Sequence, residues 1–378
     1  MFVVVIFLQE KTPTTCLATI IHKMVISKVN PKNNKVLFFS DLHLGVHQNS
    51  QTWHKICLDL AKWINKVMKE HKLDTIFFAG DVFHDRHEIG VNTLHTAKKF
   101  FNILEDYQVH LVPGNHDAFL SSTVEVNSVE ILERDNINVY TNPTTIQVGE
   151  KLVTFCPWKT VVKDLDKVDM LVGHFEIANF RMNATKICDH GDSSTDLLEK
   201  ADAVVTGHFN YKEHRTYDNN KYVMYLGSPY EMDFGDRDQQ KGVTIIDFND
   251  LTKFKFVENT ITPKHFRLKI SELLQKKYQD LPALIKGNIV SVYVDIKLDT
   301  LTLDLLISKL TQYGPLQFRT EFNILDTAQI DTKEVKKLSI DIETAFHEFV
   351  DHVETRATKK EVLDKCLELY KICQVSHE

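Results

Sequence analysis

The chain has 378 residues, 43% of them hydrophobic and 26% charged, which excludes a disordered or fibrous protein and is too long for one ordinary core. A formal net charge of −7 excludes a nucleic-acid binder that works by bulk positive charge alone. The 6 cysteines contain no C-x-x-C pair, which excludes a zinc knuckle or a disulfide framework and fits a reducing compartment.

The opening run MFVVVIFL has no basic residue before it and is far too short to span a bilayer. It reads as an extra strand or an extension over residues 1–34, with Met24 as an alternative start. No membrane-spanning segment is expected elsewhere. KVLFFS (Lys35–Ser40) is a short apolar run of the buried-strand kind. Trp53, Ile56, Leu60, Ile64 and Val67 then recur at helical spacing. TIFFAGD (Thr75–Asp81) is a second buried strand, and a helix is predicted over Thr93–Tyr107. VHLVPGNHD (Val109–Asp117), DMLVGHFE (Asp169–Glu176) and DAVVTGHF (Asp202–Phe209) repeat the design of apolar strand and polar loop. Further strands are expected at 222–228, 242–247 and 253–257. The predicted class is α/β, of the α+β sandwich kind, with a two-layered β core flanked by helices.

Beyond Thr262–Pro263 the character changes. Residues 261–330 read as a small α+β unit, with NIVSVYVDI as its best strand and a helix over Thr302–Tyr313. Residues 331–378 read as helical. Asp341 is a candidate N-cap for a helix with Ile342, Phe346, Phe349, Val350 and Val353 on one face. Thr358 followed by Glu361 is a capping-box pattern that opens a second helix with Val362, Leu363, Cys366, Leu367 and Tyr370.

The polar loops carry the chemistry. In order they hold Asp41 and His43; Gly80, Asp81 and His84; Gly114, Asn115, His116 and Asp117; Gly173 and His174; and Gly207, His208 and Asn210. Imidazole and carboxylate are the donors a pair of divalent transition ions needs, and a carboxylate such as Asp81 can bridge two of them. The glycines let the backbone turn sharply beside the ions. A single Gly-His or Asp-x-His is ordinarily a solvated loop. Five such pieces, each at a strand end, are not explained by packing, and strand ends are where α/β folds bind ligands.

Residues 35–260 resemble the calcineurin-like metallophosphoesterases, with their D-x-H, G-D, G-N-H-[DE], G-H and G-H-x-H blocks. The resemblance implies that Asp41 and His43 hold a first ion, that Asp81 bridges, and that Asn115, His174 and His208 hold a second. It implies that His116 is the general acid. GDVFHDR carries His84 where Ser/Thr phosphatases of the fold carry G-D-x-x-D-R-G; a histidine there is similar to the SbcD-type repair nucleases and implies a seat for the DNA phosphate. YLGSPYEMDFGD (Tyr225–Asp236) with Lys241-Gly242 is similar to the G-S-P…F-G-[DE]…K-G segment of the same nucleases. The match extends to the small nuclease subunit of tailed-phage recombination endonucleases, and residues 264–325 look like its capping domain.

This likeness implies a metal-dependent DNA exo/endonuclease that uses two divalent ions, manganese or else magnesium. It implies work on DNA in recombination or repair, in the cytoplasm (the host's, if the chain is viral). It also implies an SMC-like coiled-coil ATPase partner bound through 331–378, with a homodimer as a family option. One departure stands out: the last block reads Gly207-His208-Phe209-Asn210, so Asn210 replaces a first-ion histidine, with His214 as a possible substitute. A phosphatase or small-molecule phosphodiesterase of the same fold, or a non-catalytic scaffold, are the alternatives.

Overall fold

The computed structural model describes residues 27–322, 350 and 357–375. The opening apolar run, Met24 and, apart from Val350, the helix expected from Asp341 lie outside the described residues. The described chain falls into two compact units. One is built on residues up to 267 with 281–290 and 310–317, the other on 268–280, 291–309 and the described residues from 318 onward.

In the first unit the strands run β1 (Lys28–Val29), β2 (Lys35–Phe39), β3 (Thr75–Phe78), β4 (Gln108–Leu111), β5 (Ala118–Leu120), β6 (Thr123–Asn127), β7 (Ile137–Val139), β8 (Thr144–Val148), β9 (Lys151–Cys156), β10 (Val168–Gly173), β11 (Ala201–Thr206), β12 (Glu213–Thr216), β13 (Tyr222–Tyr225), β14 (Gly242–Asp247) and β15 (Phe254–Glu258). They form a seven-stranded sheet in the order β1-β8-β9-β10-β11-β13-β12 and a six-stranded sheet in the order β15-β14-β2-β3-β4-β7; β5 and β6 make a hairpin. β2, β3 and β4 are mutually parallel, as are β9, β10 and β11, so each group delivers its C-terminal ends to one edge.

Period-two alternation explains the unbroken apolar runs. In β2, Val36 and Phe38 enter a core shared with Val153, Phe155, Met170, Val172, Ala203 and Val205 of the other sheet. Leu37 and Phe39 face the opposite way, into a core with Trp53, Ile56, Leu60 and Ile64 of the helix Gln51–His71. Both faces of the strand are therefore dry, which is why its sequence does not alternate. The outer face of the seven-stranded sheet packs Leu171, Val204, Val223 and Tyr225 against Leu197 and Leu198 of the helix Ser194–Lys200.

The predicted helix over Thr93–Tyr107 is shorter in the structure, Val91–Ile103. Its end tightens into three-residue turns, with Leu104 donating to Phe101 O (3.1 Å) and Tyr107 to Leu104 O (3.1 Å). This keeps Leu104 and Tyr107 buried while the chain swings into β4. The hairpin β5–β6 and the strands β8, β9 and β12 were not foreseen.

Beyond β15 the chain forms a three-stranded sheet of β16 (His265–Lys269), β17 (Ile289–Val294) and β18 (Gln317–Phe322), with a helix over Thr300–Thr311. Farther on, the capping box at Thr358 is present: Thr358 N–H donates to Glu361 Oε2 (2.8 Å) and Glu361 N–H to Thr358 Oγ1 (3.3 Å), ahead of the helix Lys359–Val375. No helix among the described residues is long and apolar enough to cross a membrane.

Candidate metal centre

The C-terminal ends of β2, β3 and β4 from one sheet and of β10 and β11 from the other converge. Asp41 and His43 follow β2, Asp81 follows β3, Asn115 follows β4, His174 follows β10 and His208 follows β11. Four of these residues sit in left-handed backbone: Asp41 (φ 54°), His43 (φ 47°), Asp81 (φ 61°) and His208 (φ 93°). Such backbone costs on the order of 1–3 kcal/mol per non-glycine residue and turns side chains off the strand direction. Neighbouring glycines make room. A Cβ on Gly114 would lie 2.2 Å from Asp81 Oδ1, and one on Gly80 2.4 Å from His174 Nδ1.

Two donor sets meet at Asp81. On one side, Asp81 Oδ2 lies 3.3 Å from His174 Nε2, and Asn115 Oδ1 lies 2.9 Å from His174 Nε2 and 2.8 Å from His208 Nδ1. His174 Nδ1–H donates to Ala79 O (2.8 Å), so Nε2 is the nitrogen that faces these oxygens. Oxygens of Asp81 and Asn115 only accept, so a proton on Nε2 or a cation has to sit among them. On the other side, His43 Nε2 lies 3.6 Å from Asp81 Oδ2. Asp41 is fully buried; its Oδ1 accepts from His208 N–H (3.0 Å) and its Oδ2 from the Ser40 hydroxyl.

Asn210 stands at this second side. Its Oδ1 is buried and has no hydrogen-bond partner among the described residues. The residue borders a cavity of about 380 Å³ together with His43, His47, His84, His116 and His208. A buried amide oxygen without a donor is costly unless a water or cation meets it. His214 does not border that cavity: on β12 its ring packs against Tyr222 (5.3 Å) and Phe254 (4.9 Å), so it is no substitute for the missing histidine. Carboxylates, imidazoles and amide oxygens converging in this way fit divalent ions.

His116 lies beside both sets, its ring 4.8 Å from that of His43. Its N–H donates to Asp81 Oδ1 (2.8 Å), and its Nδ1–H donates to His84 O (2.6 Å). The exposed His84 ring stacks on His116 at 5.6 Å and brings its Nδ1 to 3.4 Å from His43 Nδ1.

Two residues have roles that the sequence does not assign. Asp117 is buried, and its carboxylate accepts from the backbone N–H groups of Asp81 (2.9 Å), Val82 (3.0 Å), Phe83 (3.0 Å) and Gly114 (2.9 Å). Glu176 Oε1 lies 3.5 Å from His208 Nε2 and 3.2 Å from His190 Nε2, and so orients His208 with Nδ1 turned toward Asn115. Both belong to motifs already singled out, at one and two residues from His116 and His174.

The charges are strained in a way that calls for cations. Burial lifts Asp41 to about 6, the Asp81 charge adding to it and His174 opposing. Burial and then Asp81 lift Asp117 to about 6 as well. Burial would raise Asp81 too, but His174 beside it reverses this and holds the carboxyl below the usual range. For His174 the order is reversed: burial lowers it, and Asp81 outweighs that and raises it to about 9. Burial drops His43 to about 3. The hydrogen bond from His208 holds Glu176 down at about 2.

The convergence agrees with a family comparison: residues 34–212 match the calcineurin-like phosphoesterase family. It is similar to exonuclease subunit 1 of Enterobacteria phage T4, with 27% identity over 240 residues, 60% of this chain and 68% of that protein. It is also similar to the SbcD subunit of the nuclease SbcCD of Staphylococcus epidermidis, with 23% identity over 286 residues, 65% of this chain and 74% of that protein. Among solved structures, purple acid phosphatase PPD1 from yellow lupin aligns with a TM-score of 0.41 and 11% identity, covering 61% of this chain and 52% of that one.

A pH dependence follows. Without an ion, protons on His174 and Asp41 compete for the donor atoms; Asp41 releases its proton as pH rises through about 6 and His174 as it rises through about 9. Divalent-ion affinity is therefore expected to rise with pH, by at most about tenfold per unit for each proton displaced, and most steeply below 6. Manganese titration calorimetry between mildly acidic and mildly basic pH checks this, and an affinity flat across that range would contradict it.

Proposed function

We propose that this chain is a DNA nuclease that hydrolyses phosphodiester bonds with two divalent ions. The observation that carries the reading is the convergence on Asp81 of two donor sets from different strands. Asp41, His43, Asp81 and Asn210 would hold the first ion, and Asp81, Asn115, His174 and His208 the second. When bound, such ions polarise the phosphate and acidify a water.

The chain's own residues do the rest. The Nδ1–H of His116 donates a hydrogen bond to the His84 carbonyl, so the proton that would pass to the departing sugar oxygen is the one on Nε2 of the cationic ring. His84, exposed at the rim of the same cavity, would seat a phosphate oxygen. None of these groups reads a base edge, so little sequence preference is expected. Asn210 makes the first site harder and weaker than imidazole would, which favours manganese or magnesium there. DNA as substrate is supported by the similarity to an exonuclease subunit and a nuclease subunit.

Both relatives are named as subunits, and the tail is proposed to dock an SMC-like coiled-coil ATPase through 331–378. The helix Lys359–Val375 leaves Val362, Leu363, Cys366 and Leu367 only half-buried. In this reading the protein works in a cytoplasm, the host's if the chain is viral.

His116→Ala is expected to slow manganese-dependent cleavage of single- and double-stranded DNA by about 100-fold or more, while calorimetry still counts both ions. Asp81→Ala should lose the ions as well. DNA cleavage by His116→Ala at near the parent rate would remove the assigned acid. Hydrolysis of a small phosphomonoester but not of DNA would replace the nuclease with a phosphatase.

Asn210→His is expected to lower the manganese needed for half-maximal rate, by about tenfold if imidazole replaces the amide oxygen as a ligand. Superimposable manganese titrations of the two proteins would mean that residue 210 is no ligand.

Deleting 331–378 should spare manganese-dependent cleavage and abolish co-purification with the ATPase. A truncated protein that still brings the ATPase down would end the tail assignment.

A further inference from the structure

The segment from Gly227 to Lys241 carries a likeness to nucleases, yet none of its side chains is among the proposed ion donors. Its hydrogen bonds show what it holds. Lys241 is buried, and its ammonium donates to three oxygens: Asp236 Oδ1 (2.7 Å), Ser228 Oγ (2.8 Å) and the backbone carbonyl of Asn210 (2.7 Å). Ser228 N–H adds a weaker bond to the same carbonyl (3.3 Å). Gly227, at φ 69°, lets the turn lie flush on this loop; a Cβ there would come within 3.0 Å of Asn210 O and 2.8 Å of Lys212 N. Farther along, the buried Tyr230 hydroxyl donates to Leu42 O (2.9 Å), between Asp41 and His43. The segment thus braces two of the three loops that would supply the first ion.

We propose that Lys241 is a positioning residue for the first ion: by fixing the Asn210 carbonyl it holds Asn210, whose side-chain oxygen has no partner among the described residues, at the wall of the ion cavity. The inference rests on the two-ion reading above. A buried ion pair by itself is weak ground for a stabilising role, because desolvation offsets most of the attraction. Here two of the three acceptors are neutral oxygens, and one belongs to the very residue whose side chain has no donor. A neutral amide binds an ion less firmly than imidazole, so its geometry has to be held for it.

The test is manganese titration calorimetry on the full chain, with thermal unfolding recorded alongside. Lys241→Met keeps an unbranched side chain of nearly the same length and removes the donors. It is expected to raise the dissociation constant of the weaker manganese site by about tenfold or more and to leave the tighter site within about threefold. Lys241→Arg, which keeps charge and donors, is expected to restore most of the loss. Should Lys241→Met fail to fold, Ser228→Ala keeps the ammonium and loosens one of its three anchors; a selective weakening of the same site supports the inference. A folded Lys241→Met, or a folded Ser228→Ala where the former is lost, with both manganese sites at parent affinity overturns it. So does a loss shared equally by both sites in a protein that unfolds at the parent temperature. These ion counts are taken without DNA, so a parent protein that binds two manganese ions and cleaves no DNA would sink the nuclease reading alone.

Discussion

The centre depends on one carboxylate that is not among its proposed ion donors. Asp117 accepts backbone N–H groups from the loop after β3 and from the loop after β4. It thereby fixes Asp81 and the Gly114–Asn115 turn against each other, and with them the position that both donor sets share. Hydrogen bonds to a charged acceptor are roughly twice as strong as neutral ones, and this one is dry. Its burial has a consequence for charge. With Asp41 and Asp81 it makes three buried carboxylates in one small volume, which the protein does not neutralise by itself: Asp41 and Asp117 are both pushed up to about 6. The local fold is built around positive charge that its own side chains only partly supply, through His174.

Strain and packing follow from the same need. Asp41, His43, Asp81 and His208 leave their strands through left-handed backbone, and no regular loop would collect their side chains so closely. The surrounding structure over-determines those conformations. Gly80 and Gly114 admit the neighbouring side chains, Glu176 holds His208, and Ala79 holds His174. Functional sites are one place where such unfavourable backbone is retained.

Much of this was legible in the sequence because burial on both faces makes a strand read as an apolar run, and β2, β3, β4, β10 and β11 are all of that kind. The helix Gln51–His71 and the Thr358 capping box were legible for equally local reasons. What escaped depends on partners distant in the chain. The strands β8 and β12 are half-polar and become strands through their neighbours, and the end of the helix at Ile103 is set by the burial of Leu104 and Tyr107. Asp117 stands next to His116 and is of the same chemical type as an ion donor, so spacing alone does not separate a carboxylate that faces an ion from one that faces backbone N–H groups. His214 looked like a spare ligand four residues beyond Asn210; β-strand geometry sends it toward Tyr222 and Phe254 instead.

The proposed second-ion donors come from both halves of the sandwich: Asp81 and Asn115 end strands of the six-stranded sheet, His174 and His208 strands of the seven-stranded one. An ion held by all four would act as a rivet between two slabs whose interface is otherwise greased by Phe38, Phe77, Phe155 and their apolar neighbours. Apolar contacts resist separation but, having no direction, tolerate sliding. A shear of one slab past the other would therefore be felt first at the rivet, as a change in the reach of His174 and His208.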